Sequence, residues 1–150
     1  MIAFSVLGID HVEMFVPDRY EAAKWYHTIL GLRILSDYEE WAGDARGPLM
    51  ISSDNGNTKL ALFTGEPPGG RRNIIGFRRV AFRVTGGDFL AFLGRLKDFS
   101  VLDESGKRVM AQDIVDHDKA FSIYFCDPYG HRLEVTTYDY GDVAISLSRK

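Results

Sequence analysis

His117, Tyr124, Asp127, Pro128, Gly130, His131 and Glu134 all fall in one stretch, VDHDKAFSIYFCDPYGHRLEV, from Val115 to Val135. Two imidazoles, a phenol and two carboxylates at this density could shuttle protons, hold a cation or bind a polar ligand. Alternation around Ile123, Tyr124 and Phe125 reads as a strand, DPYG as a tight turn and RLEVT as the returning strand. If Leu133 and Val135 enter a packed layer, Glu134 points to the opposite face. Its carboxylate then either faces solvent or lines a cavity where a metal, a cation or a substrate satisfies it.

The elements that must position this chemistry recur in two rounds. Gly8 to Val16 alternates, with Val12, Met14 and Val16 on one face and Ile9, His11, Glu13 and Phe15 on the other. Pro17-Asp18 signals a helix start, Ala22, Trp25 or Tyr26, Ile29 and Leu30 follow at helical spacing, and Gly31 stops the run. Period two then returns through LRILSDYEEW, PLMISSD, an Asn55-Gly56 hairpin signal and KLALF. TGEPPGGRRNIIG is a linker rich in Gly and Pro, and the order restarts after it. GFRRVAFRV reads as a strand, with Val80, Phe82 and Val84 matching Val12, Met14 and Val16. Phe89, Phe92, Leu93 and Leu96 make a helical stripe after Asp88, and VLDESG is a loop. RVMAQDIVDH, FSIYFCD and HRLEVTTY are the closing strands. The expectation is an α+β fold of two βαβββ modules, their curved mixed sheet enclosing a cup-shaped pocket. Residues 1–63 form the first module, 64–75 the linker, 76–137 the second module and 138–150 a C-terminal tail, together one domain.

Composition narrows the function classes. At 150 residues with 45% hydrophobic content, the chain can bury an ordinary core. A formal net charge of -3 offers no broad basic field, so nucleic acid is not an expected partner. Cys126 alone excludes an internal disulfide framework and a cysteine-based zinc site, and suits a reducing cytoplasm. No apolar run approaches the about 18 residues of a membrane span, and MIAFSVLGI lacks a basic leader. The expected location is cytoplasmic, away from the membrane.

These residues resemble the glyoxalase, bleomycin-resistance and extradiol-dioxygenase superfamily, also called vicinal oxygen chelate proteins, over nearly the whole chain. Val115 to Glu134 is similar to the extradiol-dioxygenase motif: a histidine, a hydrophobic residue with Tyr, Asp-Pro-x-Gly and a glutamate ligand. The resemblance implies iron(II) held by two histidines and one carboxylate, acting on a small aromatic or oxygen-chelating molecule in a homodimer. Carried over residue by residue, it makes His11 and Glu134 metal ligands. His117 becomes a catalytic group near the substrate, and Tyr124 a catalytic phenol that hydrogen-bonds it. The second histidine's place, just before Val80, holds Arg79, which cannot ligate a cation. The glyoxalase-type ligand position on the last strand of the first module holds Ala61.

The metal site is therefore incomplete, and the alternative is a metal-free binding protein of the bleomycin-resistance type. In that case Arg79, Arg83 and Glu13 bind a carboxylated or phenolic compound, and Arg79 pairs with Glu134. Plainer readings stand beside each role. His117 can be a loop histidine, Tyr124 a packing residue with a wet tip, and His11 a hydrogen-bonded pocket histidine. His131 belongs to the turn and His27 to a helix surface.

Overall fold

The computed structural model describes residues 3–66 and 76–149. The chain divides into two compact units, Met1–Ile74 and Ile75–Lys150. Each is built around a four-stranded mixed sheet, and the two sheets share one strand pattern.

In unit 1, β1 (His11–Val16) buries Met14 and Val16 and leaves His11, Glu13 and Phe15 outward, the alternation expected of it. Helix α1 (Arg19–Leu30) starts at Asp18, whose carboxylate accepts from the N–H of Tyr20 at 2.9 Å and of Glu21 at 3.0 Å. A cap of this kind stabilises a helix by about 1 kcal/mol. The helix ends at Gly31, whose φ of 72° suits a residue without Cβ. Tyr26, rather than Trp25, is the aromatic ring it buries, and the Tyr26 hydroxyl lies against Met14 Sδ at 3.9 Å.

LRILSDYEEW is not a full strand. Only Arg33–Ile34 pair as β2, followed by a turn of 3-10 helix at Ser36–Tyr38 and a short helix α2 at Glu39–Ala42. The register with β3 (Leu49–Ser52) explains the stop: Ile34 faces Ile51, so Asp37 would face Pro48, which has no N–H to donate. Arg19 fixes the diverted chain through the carbonyls of Gly47 (2.6 Å), Ala42 (3.0 Å) and Asp44 (3.3 Å). Asn55 and Gly56 turn β3 into β4 (Lys59–Thr64) with φ values of 58° and 92°, the conformation an Asn-Gly hairpin requires. The sheet order is β1-β4-β3-β2, with β1 and β4 parallel.

Unit 2 repeats this as β5 (Val80–Arg83), α3 (Gly86–Asp98), β6 (Val115–Asp116), β7 (Phe121–Cys126) and β8 (Arg132–Thr137), in the order β5-β8-β7-β6. The expected α+β fold of repeated βαβββ modules is thus present. Helix α3 buries Phe89, Phe92, Leu93 and Leu96, the stripe legible in the sequence, and is capped by Thr85. GFRRVAFRV pairs only from Val80, because β8 begins at Arg132 and offers little chain for earlier residues to pair with. RVMAQDIVDH likewise joins the sheet only at Val115–Asp116, while its first residue, Arg108, bridges Leu102. Upstream, Ala111–Asp113 form a 3-10 turn in which Asp113 accepts from the Met110 N–H at 2.8 Å. Leu102 takes the place beside Cys126 instead.

The tail is a helix, α4 (Tyr140–Ser148), packed against α3. Val143 is fully buried, and Asp139 accepts from the Gly86 N–H at 2.7 Å. The linker residues 67–75 lie outside the described residues. Among those described, no helix is long and apolar enough to cross a membrane.

Candidate functional site

Strand register decides which side chains meet, because residues opposite one another on neighbouring strands share a face. In unit 2, Leu133 and Val135 are buried, so Glu134 takes the other face, as its place between them requires. Tyr124 sits opposite it on β7 and Ala81 on β5. One step along, Ser122 faces Thr136, which faces Arg83; one step the other way, Cys126 faces Arg132. The Ser122 hydroxyl donates to Glu134 Oε1 at 2.7 Å and lies 3.0 Å from Thr136 Oγ1. Sequence reading did not single out Ser122. Its position two residues before Tyr124 was the available signal, but the register was needed to bring it to Glu134.

The turn between β6 and β7 delivers His117. Its N–H bonds the Ala120 carbonyl at 2.9 Å, and Asp118 takes a φ of 65°, a region Asp tolerates better than most residues. Asp116 ties the turn down twice, accepting from the Asp118 N–H at 2.8 Å and from the Tyr140 hydroxyl at 2.9 Å. That second bond holds the Tyr140 phenol above its ordinary range, because Asp116 favours the protonated form. From this turn, exposed His117 reaches Tyr124, with Nε2 2.8 Å from the phenol oxygen. The Arg79 guanidinium lies over the same ring, its Cζ 4.4 Å from the centroid. His117, Tyr124 and Arg79 therefore form one connected group.

Arg79 does not pair with Glu134 among the described residues, as the metal-free reading had expected; it stacks on Tyr124 while Glu134 accepts from Ser122. Arg83 lies over the Tyr138 ring at 5.1 Å. His131 serves the turn: Asp127 accepts from its backbone N–H at 2.9 Å and holds its Nδ1 at 2.6 Å. His27 is exposed on α1.

A cleft of about 340 Å³ opens on this face, with Arg79, Tyr124, Cys126 and Arg132 in its wall. Cys126 is buried, and burial pushes its thiol above the ordinary range, so it is a poor nucleophile.

Unit 1 holds His11. Its Nδ1 bonds Asp10 Oδ2 at 2.7 Å, leaving Nε2 outward and 3.9 Å from Glu13 Oε1. Asp10 also accepts from the Nζ of buried Lys59 at 2.9 Å. The His11 bond and then the Lys59 bond hold the Asp10 carboxyl below its ordinary range. Lys59 faces His11 in the parallel register, and Ala61 faces Glu13. Asp10 and Lys59 escaped the sequence reading; Asp10 adjoins His11, but Lys59 joins it only through strand pairing.

The sequence profile of the Glyoxalase/Bleomycin resistance protein/Dioxygenase superfamily matches residues 8–135. The chain belongs to this superfamily. Among solved structures, this superfamily member is similar to Oxidase ChaP-H2, with 26% identity over 91% of this chain and 98% of that one and a TM-score of 0.63. It is also similar to a glyoxalase/dioxygenase from Nostoc punctiforme (20% identity, 91% and 99% covered, TM-score 0.64). A third is the fosfomycin resistance protein FosX from Listeria monocytogenes (14% identity, 93% and 99% covered, TM-score 0.61). The last two likenesses are of fold alone. No curated protein matches the chain.

The donor set does not fit the iron site of the superfamily's extradiol dioxygenases. Arg79, stacked on Tyr124, has no lone pair to give a cation, and its charge repels one. Among the described residues, no group of three or more His, Cys, Asp or Glu side chains is placed to hold a metal ion.

Proposed function

We propose that this superfamily member is extradiol-dioxygenase-like and takes a small aromatic or oxygen-chelating molecule against the outward face of the unit 2 sheet. The observation that carries this reading is the 2.8 Å bond between His117 Nε2 and the Tyr124 hydroxyl, with Arg79 stacked on the same ring. The bond is within the range over which a proton passes between heavy atoms. When a ligand hydroxyl meets Tyr124, His117 accepts the proton through the phenol. Stacking occupies the face of the Arg79 guanidinium and leaves its N–H edge to hold the oxygen that becomes anionic. Glu134, fixed by Ser122, orients a second hydroxyl by accepting from it. The printed description of Oxidase ChaP-H2 as an oxidase agrees with oxidative chemistry.

The decisive experiment reconstitutes purified protein anaerobically with iron(II), then adds catechol and oxygen. One iron per site, with a yellow ring-cleavage product that disappears in His117→Asn and Tyr124→Phe, establishes the dioxygenase. Catechol binding without bound iron or product favours the second reading, metal-free binding of the bleomycin-resistance type, which Arg79 specifically supports. Absence of both binding and turnover rejects the site. A homodimer accompanies either reading, to be checked by light scattering.

A further inference from the structure

The turn that carries His117 has little of its own to hold it. It follows β6, a strand of two exposed residues at the edge of the sheet, and passes through Asp118, a non-glycine residue at a φ of 65°. Backbone in that region costs about 1 to 2 kcal/mol and persists where its surroundings hold it. The holding group is Asp116, whose Oδ1 accepts from the Asp118 N–H at 2.8 Å and whose Oδ2 accepts from the Tyr140 hydroxyl at 2.9 Å. Asp116 is exposed, so without the phenol its carboxylate is free to rotate into water. Tyr140 is the first residue of α4. Its ring stacks on Phe121, with centroids 4.7 Å apart and planes at 4°, and Phe121 is the residue that pairs with Asp116. The helix that supplies it is moored independently of the turn: Val143 is fully buried, and Asp139 accepts from the Gly86 N–H at the start of α3.

We infer that Tyr140 is a positioning residue for His117, which makes the tail helix α4 a working part of the site rather than an appendage to the module. The inference rests on the proposed function, in which His117 accepts a proton through Tyr124, and adds to it the residues that fix where the imidazole stands. Exposed His117 meets Tyr124 through one ring nitrogen, Nε2, at 2.8 Å, and its backbone N–H is tied within the turn to the Ala120 carbonyl at 2.9 Å. A shift of the turn by about 1 Å takes the Nε2 bond out of range, and a solvated imidazole then exchanges between its tautomers. With the Tyr140 bond made, Asp116 keeps Oδ1 on the Asp118 N–H and the turn keeps its left-handed residue. Nε2 thereby stays on the phenol. Tyr140 acts on His117 through Asp116 and the turn, without meeting the ligand.

The test uses the intact protein and a pair of readouts, of which one needs no ligand. Imidazole nitrogen NMR signals report whether His117 is locked in one tautomer, and they are assigned by their absence from His117→Asn. Tyr140→Phe keeps the ring on Phe121 and removes the hydroxyl, so the His117 signals are expected to move toward the average of the tautomers while the melting temperature stays close to the parent's. Catechol affinity is expected to fall about fivefold, the order of one hydrogen bond. In a His117→Asn background the same substitution should change affinity by less than about twofold, because its effect passes through the imidazole. Unmoved His117 signals in folded Tyr140→Phe overturn the inference and leave the proposed function standing. An equal loss of catechol affinity with and without His117, the mark of a merely structural role, also overturns it. Signals that move in a protein with no affinity for catechol support the positioning role and overturn the proposed function. Where Tyr140→Phe folds poorly, Asp116→Ala makes the same test from the turn's side, and His117 signals that match the parent's there overturn the inference as well.

Discussion

At the scale of single residues, the chemistry turns on which partner each titratable group has. Tyr124 touches both His117 and Arg79, so its ring and its hydroxyl can be separated experimentally. Tyr124→Phe keeps the stacking and removes the bond. Catechol affinity is expected to fall about tenfold, the worth of one hydrogen bond in a partly desolvated site, with the melting temperature nearly unchanged. Tyr140 anchors, through Asp116, the turn that carries His117. Its folded pKa is raised above the ordinary 10.0, so its contribution is complete below that pH and is lost as pH rises through the folded value. Ultraviolet difference titration of the parent protein against Tyr140→Phe should place the ionisation that the substitution removes above the ordinary tyrosine value.

At the scale of elements, the tail helix and α3 meet with little room. A Cβ on Gly86 would lie 3.0 Å from Asp139 Cβ and 3.1 Å from Val143 Cγ2, whereas one on Gly94 in the same helix meets nothing within 4 Å. Gly86→Ala should therefore destabilise the protein by about 1 to 3 kcal/mol through overpacking. Gly94→Ala should be stabilising by up to about 1 kcal/mol through helix propensity. Urea unfolding of both separates steric crowding from propensity. The β3–β4 hairpin responds to acid instead. The Thr58 backbone N–H, followed by the Ser52 hydroxyl, holds Asp54 below its ordinary 3.8. Its contribution is present above that value and lost as pH falls through the depressed folded pKa. Amide exchange in residues 53–58 should accelerate there before the rest of the sheet.

At the scale of the whole molecule, one topology is used twice with different chemistry on it. His11 in unit 1 and Arg79 in unit 2 occupy equivalent places, each two residues ahead of the residue that pairs with the middle of the last strand: Glu13 with Ala61, and Ala81 with Glu134. The two modules carry different side chains at these places, His11 and Ala61 in unit 1 and Arg79 and Glu134 in unit 2. Arg79→His should accordingly raise affinity for iron(II) or zinc by at least about tenfold over the parent protein, since it replaces a repelling cation with a ligand. Equilibrium dialysis with metal analysis measures this directly, and chelator treatment of the parent protein should leave its circular dichroism unchanged.

The sequence by itself determined the repeated modules, the caps of α1, the buried stripe of α3, the Asn55-Gly56 hairpin and the outward face of Glu134. All of these follow from periodicity or from backbone demands local to a few residues. LRILSDYEEW and RVMAQDIVDH misled because strand length depends on the partner. Pro48 ends one ladder, and Leu102 takes the edge that the other segment would have filled. The tertiary structure alone decided the partners of the chemistry: Arg79 on Tyr124 rather than on Glu134, Ser122 on Glu134, Tyr140 on Asp116 and Lys59 behind His11. Alternation assigns a side chain to a face, but only strand register and the path of the connecting turns determine what it meets there.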